Sequence, residues 1–267
     1  MTAAASRLFV ALDVETLDAA GALLDRLEGV RCGVKIGSQL FTAAGPVAVE
    51  TALKRGFQVF LDLKYHDIPN TVAGAARAAT RLGVTIMNVH ASGGSAMMRA
   101  AADAVRTAAT DFQVPRPLCL AVTVLTSLDR KALATEVGVP VAVEAHVLAL
   151  ANLTIDAGLD GAIASPQEIR PLRLALGPNA VILTPGIRPS STGGSRSATG
   201  SPGRSERGGV WGAMSRPPSS MDDQVRTATA TEAIRAGANY IVVGRPITQA
   251  PDPAAAAAAL VEEIGLA

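Results

Sequence analysis

The chain reads as an α/β protein, a single-domain (β/α)8 TIM barrel over residues 1–267, and three observations predict this. Short apolar runs alternate with longer helical patterns from end to end. The alternation completes eight cycles in 267 residues, close to the ~250 typical of closed parallel barrels. Hydrophobic residues make up 49% of the chain but aromatics only 3%. The core must then be packed from Ala, Val, Leu and Ile, which suits buried parallel strands under Ala/Leu-rich helices. An open doubly wound sheet is the competing arrangement, and no second domain is needed.

The strand candidates, in order, are Leu8–Leu12, Val30–Ile36, Phe57–Leu63, Val84–Val89, Leu118–Val124, Gly161–Ala164, Val181–Leu183 and Tyr240–Val243. Each is short, apolar and bounded by Gly, Pro or polar residues, as strands are. Helical stretches lie between them: Leu17–Leu27, Val47–Arg55, Val72–Arg81, Ser95–Thr107, Val141–Asp156, Pro166–Ala175, Ala228–Ala236 and Pro253–Ile264. The last begins in an alanine tract and ends as an amphipathic helix. One segment breaks the rhythm. Residues 190–221, between strand seven and helix seven, are rich in Ser, Gly, Arg and Pro, with Trp211 as the lone large aromatic. Such a composition cannot bury enough apolar surface to order itself, so a long mobile loop is expected there.

A net charge of +1 argues against a nucleic-acid binder that works through a broad basic surface. It leaves room for a small anionic ligand, which needs only a few local charges. Cys32 and Cys119 both sit in apolar strand-like runs, so buried free thiols are expected rather than a disulfide framework. Neither a secretory leader nor a membrane-spanning run is visible, and a soluble, cytoplasmic protein is the expectation.

In a barrel of this kind, functional side chains stand at the C-terminal ends of the strands. Those ends carry Asp13, Lys35, Asp62 with Lys64, His90, Thr123 to Ser127, Ser165, Pro185-Gly186-Ile187-Arg188 and Gly244-Arg245. The densest cluster is Asp62-Leu63-Lys64-Tyr65-His66-Asp67-Ile68-Pro69-Asn70-Thr71. In extended backbone Asp62 and Lys64 share a face, because side chains alternate with a period of two. Both would project into the barrel mouth, with Lys35 arriving from the adjacent strand. A lone Asp-x-Lys is more often an ordinary salt-bridged strand end; charges at the neighbouring strand ends favour a site.

A second constellation joins Thr184-Pro185-Gly186-Ile187-Arg188 to Val243-Gly244-Arg245. Loops after strands seven and eight commonly hold phosphate in these barrels. Glycines let backbone N–H groups approach it, and a guanidinium can grip it in bidentate fashion. A phosphorylated substrate is expected. His66, His90 and His146 do not fall at metal-ligand spacing, and no Gly-rich dinucleotide fingerprint is present, so neither metal nor cofactor is expected. His146 reads as structural; His90 could orient a neighbour or simply pack.

The run from Phe60 to Thr71 closely resembles the signature of the orotidine 5′-monophosphate decarboxylase family. So do Ala11-Leu12-Asp13, Val34-Lys35-Ile36-Gly37, Asn88-Val89-His90-Ala91, Val122 to Ser127, Thr184 to Arg188, Asp223-Gln224 and Val242 to Ile247. The resemblance spans essentially the whole chain, in order. It implies a cofactor-free carboxy-lyase that converts orotidine 5′-monophosphate to uridine 5′-monophosphate and CO2, the last step of de novo UMP synthesis. By position, Lys64 would protonate C6, Asp62 would face the substrate carboxylate, and Lys35 with Asp67 would complete an alternating charge network. Asp13 and Lys35 match ribose-binding positions, Thr126 a pyrimidine contact, and Pro185 a lining residue. Arg188, Gln224, Gly244 and Arg245 match positions that close over the phosphate. Asp67 and Thr71 would reach into a neighbour's site, which implies a homodimer with shared active sites. The insertion at 190–221 departs from the family's short connection and puts the placement of Gln224 in doubt. Two other readings remain: a Mg²⁺-dependent sugar-phosphate decarboxylase or aldolase of the same barrel group, which would carry an acidic metal ligand where this chain has Lys35, and a non-catalytic nucleotide-binding barrel.

Overall fold

A computed structural model describes residues 7–30, 32–188 and 227–265. Eight parallel strands close in sequence order: β1 Leu8–Ala11, β2 Gly33–Gly37, β3 Gln58–Tyr65, β4 Ile86–His90, β5 Leu118–Val122, β6 Gly161–Ile163, β7 Val181–Thr184 and β8 Tyr240–Val243. All eight expected strands are found, with their ends displaced by a few residues. The largest displacement is at β2, because the Val30 N–H still bonds to Leu27 O in the turn after the first helix. Closure between β8 and β1 is reinforced by Arg7, whose guanidinium donates to Ala238 O at 2.6 Å and Asn239 O at 3.1 Å.

The helices among the described residues are α1 Leu17–Arg26, α2 Ser38–Ala44, α3 Pro46–Lys54, α4 Pro69–Arg81, α5 Gly94–Phe112, α6 Arg130–Thr135, α7 Val143–Asp156, α8 Ile169–Leu176, α9 Ala230–Ala236, α10 Arg245–Thr248 and α11 Pro253–Gly265. The sequence pattern does not reveal α2, α6 or α10. Each is too short to show a period of 3.6. Gly45 at φ 62° and Pro46 break α2 from α3, and α6 stands on the Asp129 side chain, which accepts from Ala132 N–H at 2.8 Å.

Each strand alternates between two cores. Outward residues such as Val10, Val34, Ile36, Val59, Met87, Ile182 and Ile241 pack under the helices. Inward residues Phe9, Phe60, Ile86, Leu120, Ile163, Leu183 and Val242 fill the barrel. Phe9 is the hub of the interior, edge-on to Phe60 at 6.2 Å and to Tyr240 at 5.8 Å. Burial of such a side chain contributes about 1.5–3 kcal/mol. Gly33 makes room for it, since a Cβ there would lie 2.4 Å from the Phe9 ring.

Following the inward positions toward the C-terminal ends, the chemistry changes. Phe9 and Ala11 give way to Asp13 on the first strand, Gly33 to Lys35 on the second, Phe60 to Asp62 on the third, and Ile86 to Asn88 on the fourth. The barrel is therefore plugged with hydrocarbon at one end and lined with charge at the other.

Candidate active site

At the charged end lies a cavity of about 520 Å³. Asp13, Lys35, Asp62, Lys64, Thr126, Pro185, Arg188, Gly244 and Arg245 all line it, so nine of the positions singled out in the sequence converge there. Asp67 and Thr71 do not line it and are exposed. Gln224 and the 190–221 insertion lie outside the described residues.

The charged groups form a chain. Lys35 Nζ sits 2.9 Å from Asp13 Oδ1 and 3.4 Å from Asp62 Oδ2, and Lys64 Nζ is 2.7 Å from Asp62 Oδ1. Lys35 is 9% and Asp62 8% exposed. Buried ion pairs bring little net stability, because desolvation offsets the attraction. A cluster of this kind at the mouth of a cavity therefore points to chemistry rather than to folding.

The route by which Lys64 reaches Asp62 differs from the period-two expectation. Lys64 has φ 52°, a left-handed conformation that costs a non-glycine residue about 1–2 kcal/mol. The β3–β4 register shows why: Leu61 pairs with Met87 but Tyr65 with Val89. Residues 62–64 thus bulge opposite the single residue Asn88. Its side chain fills the gap, with Oδ1 accepting from Lys64 N–H at 2.8 Å and Nδ2 donating to Asp62 Oδ1 at 2.7 Å. Asn88 was given no role from sequence, although one amide at an inward position of an apolar strand was a visible signal. Gln249, on the cavity rim, was missed as well; it follows the unrecognised helix α10.

His66 and His90 flank this cluster with ring centroids 5.5 Å apart. Burial, then the neighbouring His66 and Lys64, lower the pKa of His90, against an opposing pull from Asp62. The largest of these causes, burial, disfavours the charged imidazolium.

The opposite rim comes from β7 and β8. Gly186 turns the chain at φ 83°, a left-handed position that favours glycine. Ile187 then pairs with Ala228, and Arg188 N–H donates to Ala228 O at 2.9 Å. The chain on either side of 189–226 therefore meets at the cavity edge. A Cβ at Gly244 would face Asp13 Oδ2 at 3.9 Å, so this backbone itself forms part of the cavity wall. Apolar residues Val122, Val124, Ile163 and Leu183 make the remaining side.

A parallel eightfold barrel with a lysine–carboxylate chain and two arginines around a cavity at its C-terminal strand ends has the architecture of a barrel enzyme. Residues 6–217 and 211–260 match the model of the orotidine 5′-phosphate decarboxylase / HUMPS family, and the chain belongs to that family. Orotidine 5′-phosphate decarboxylase of Moorella thermoacetica is 51% identical over 261 residues, 98% of this chain and 93% of the relative. That of Idiomarina loihiensis is 45% identical over 97% of this chain and 98% of its own. The crystal structure of orotidine 5′-phosphate decarboxylase from Lactobacillus acidophilus superposes with a TM-score of 0.77 at 34% identity, covering 97% of this chain and 99% of the other.

Proposed function

We propose that the protein decarboxylates orotidine 5′-monophosphate to uridine 5′-monophosphate and CO2, with Lys64 as the proton donor. The observation that carries this reading is the continuous chain Asp13–Lys35–Asp62–Lys64 lining one cavity with Arg188 and Arg245. The relatives bearing the decarboxylase name match over nearly their full lengths.

The reaction breaks the bond from C6 of the pyrimidine to its carboxylate and leaves the electron pair on C6, in the plane of the ring. The Lys64 ammonium gives its proton to that carbon and becomes a neutral amine, to be reprotonated from solvent. A single positioned acid supplies only about 10²–10⁴-fold, whereas a barrier this high needs roughly 20 kcal/mol of reduction. Fixed charge provides the larger share. Lys64 places positive charge where the carbanion develops, with no reorganisation at the moment of reaction. Asp62, with the Lys35 and Lys64 ammonium groups against it, repels the substrate carboxylate until CO2 departs. Arg188 and Arg245 hold the phosphate far from the reacting bond, and that binding energy assembles the site. Asp13 and Lys35 take the ribose hydroxyls, Thr126 the pyrimidine, and Pro185 and Gly244 the wall beside the phosphate. Gln224 belongs with the phosphate group on the strength of the sequence match alone.

The reading includes a homodimer in which Asp67 and Thr71 complete the partner's site. It is supported by the exposure of the whole run from His66 to Thr71, with Ile68 66% exposed. The reaction needs no cofactor or metal: Lys35 places an ammonium between Asp13 and Asp62, where a Mg²⁺-dependent sugar-phosphate enzyme would present a carboxylate. A cytoplasmic location goes with it, as two buried free thiols, Cys32 and Cys119, suit a reducing compartment.

Purified protein incubated with orotidine 5′-monophosphate in excess EDTA should release uridine 5′-monophosphate and CO2 in equal amounts. Folded protein that forms no product, or that works only when Mg²⁺ is restored, would contradict the reading.

A further inference from the structure

We infer that Asn88 is the positioning residue that sets the proton donor against its carboxylate, a role that rests on the decarboxylase reading above. Asn88 is fully buried and both ends of its amide are committed to the cluster: Oδ1 to the Lys64 backbone N–H at 2.8 Å, and Nδ2 to Asp62 Oδ1 at 2.7 Å. The bulge at 62–64 takes the Lys64 N–H off the β4 backbone ladder, and a buried, unpaired N–H costs about 1–3 kcal/mol. The Asn88 amide meets that need and so holds Lys64 in its left-handed conformation. With its other end it fixes the Asp62 oxygen that also receives the Lys64 ammonium, 2.7 Å away. One side chain thus ties donor backbone, donor ammonium and carboxylate into a closed ring. An amide suits the position because it accepts on one side and donates on the other; a hydroxyl is too short to span both, and a carboxylate would face Asp62 with like charge.

The test uses full-length protein, with wild-type turnover as the reference. Asn88→Ala should lower kcat about 100-fold, the scale of an ångström-level misplacement, while KM stays within about threefold because the phosphate and ribose contacts are untouched. Asn88→Asp keeps the shape and guards against misfolding of the alanine variant. In it the introduced carboxylate shares a proton with Asp62, and the pair titrates with a raised apparent pKa. In the singly protonated pair the introduced carboxyl still donates to Asp62; in the doubly ionised pair neither carboxylate can donate. The kcat of Asn88→Asp should therefore fall as pH rises, through a step that the wild type lacks, with circular dichroism unchanged across the range. A wild-type kcat in Asn88→Ala, or a wild-type pH profile in Asn88→Asp, overturns the role while leaving the decarboxylase reading intact. A wild type that forms no uridine 5′-monophosphate overturns that reading first, and the role of Asn88 falls with it.

Discussion

The Lys64 ammonium donates to Asp62 Oδ1 at 2.7 Å across backbone that has left the strand, with Lys64 at φ 52°. Strained positions of this kind persist where the surroundings over-determine them. Here Asp62 holds Lys64 by its ammonium and Asn88 holds it by its amide. Lys64 is thereby held in place before substrate arrives, as the proposed proton donor needs to be.

The proposed phosphate end, at Arg188 and Arg245, should govern turnover as well as affinity. Arg188→Ala removes a charge-assisted contact, each of which contributes about 1.5–3 kcal/mol. A 10- to 100-fold loss in kcat/KM, with kcat itself reduced, is the expected outcome in steady-state assays. Unchanged kcat with only KM raised would show that phosphate binding does not help assemble the site.

The proposed sharing of active sites between two subunits makes a numerical prediction. Lys64→Ala and Asp67→Ala should each be inactive alone, yet mixing them under conditions that exchange subunits should recover about one quarter of wild-type activity. Half the dimers would then be hybrids, and each hybrid holds one site with both residues intact. No recovery, with exchange shown independently, would mean that Asp67 acts within its own chain or not at all.

Gly161→Ala tests the barrel wall rather than the site. A Cβ there would lie 1.9 Å from Val181 O, a backbone atom of the paired strand, so β6 and β7 would have to part. Overpacking typically costs about 1–3 kcal/mol, and this contact falls at the upper end. Denaturant unfolding should show the free energy of unfolding lowered by that amount, seen as a lower midpoint at unchanged slope; an unchanged midpoint would contradict the strand spacing.

His90 makes stability depend on pH. Its pKa is lowered in the folded protein, first by burial, so the unfolded chain binds the proton more readily. The neutral imidazole's contribution is complete above the ordinary histidine value near ~6.5 and is lost as pH falls toward the lower folded value. His90→Gln should flatten the decline of Tm between roughly pH 6.5 and 5. Parallel curves for wild type and variant would refute it.

The barrel was legible because each strand pairs an apolar run with a punctuating Gly, Pro or polar residue, as Leu8–Ala11 before Asp13 illustrates. The charged strand ends were legible too, since a fold that aligns eight C-terminal ends turns scattered positions such as Lys35 and Arg245 into one cavity lining. What periodicity could not supply was the bulge. A period-two pattern carries Asp62 and Lys64 to the same face, but only three-dimensional pairing reveals that two extra residues on β3 oppose Asn88. Helices α2, α6 and α10 escaped for a simpler reason: their length is set by caps and breakers rather than by an apolar stripe.

The central claim is that Lys64, set against Asp62, delivers the proton to C6. The most direct measurement follows the ultraviolet absorbance of orotidine 5′-monophosphate in EDTA with wild-type protein beside Lys64→Ala. The account predicts conversion to uridine 5′-monophosphate by the wild type and at least about a 10⁴-fold slower reaction in the variant, since general-acid and electrostatic contributions vanish together. Turnover in folded Lys64→Ala at a rate near that of the wild type would contradict it.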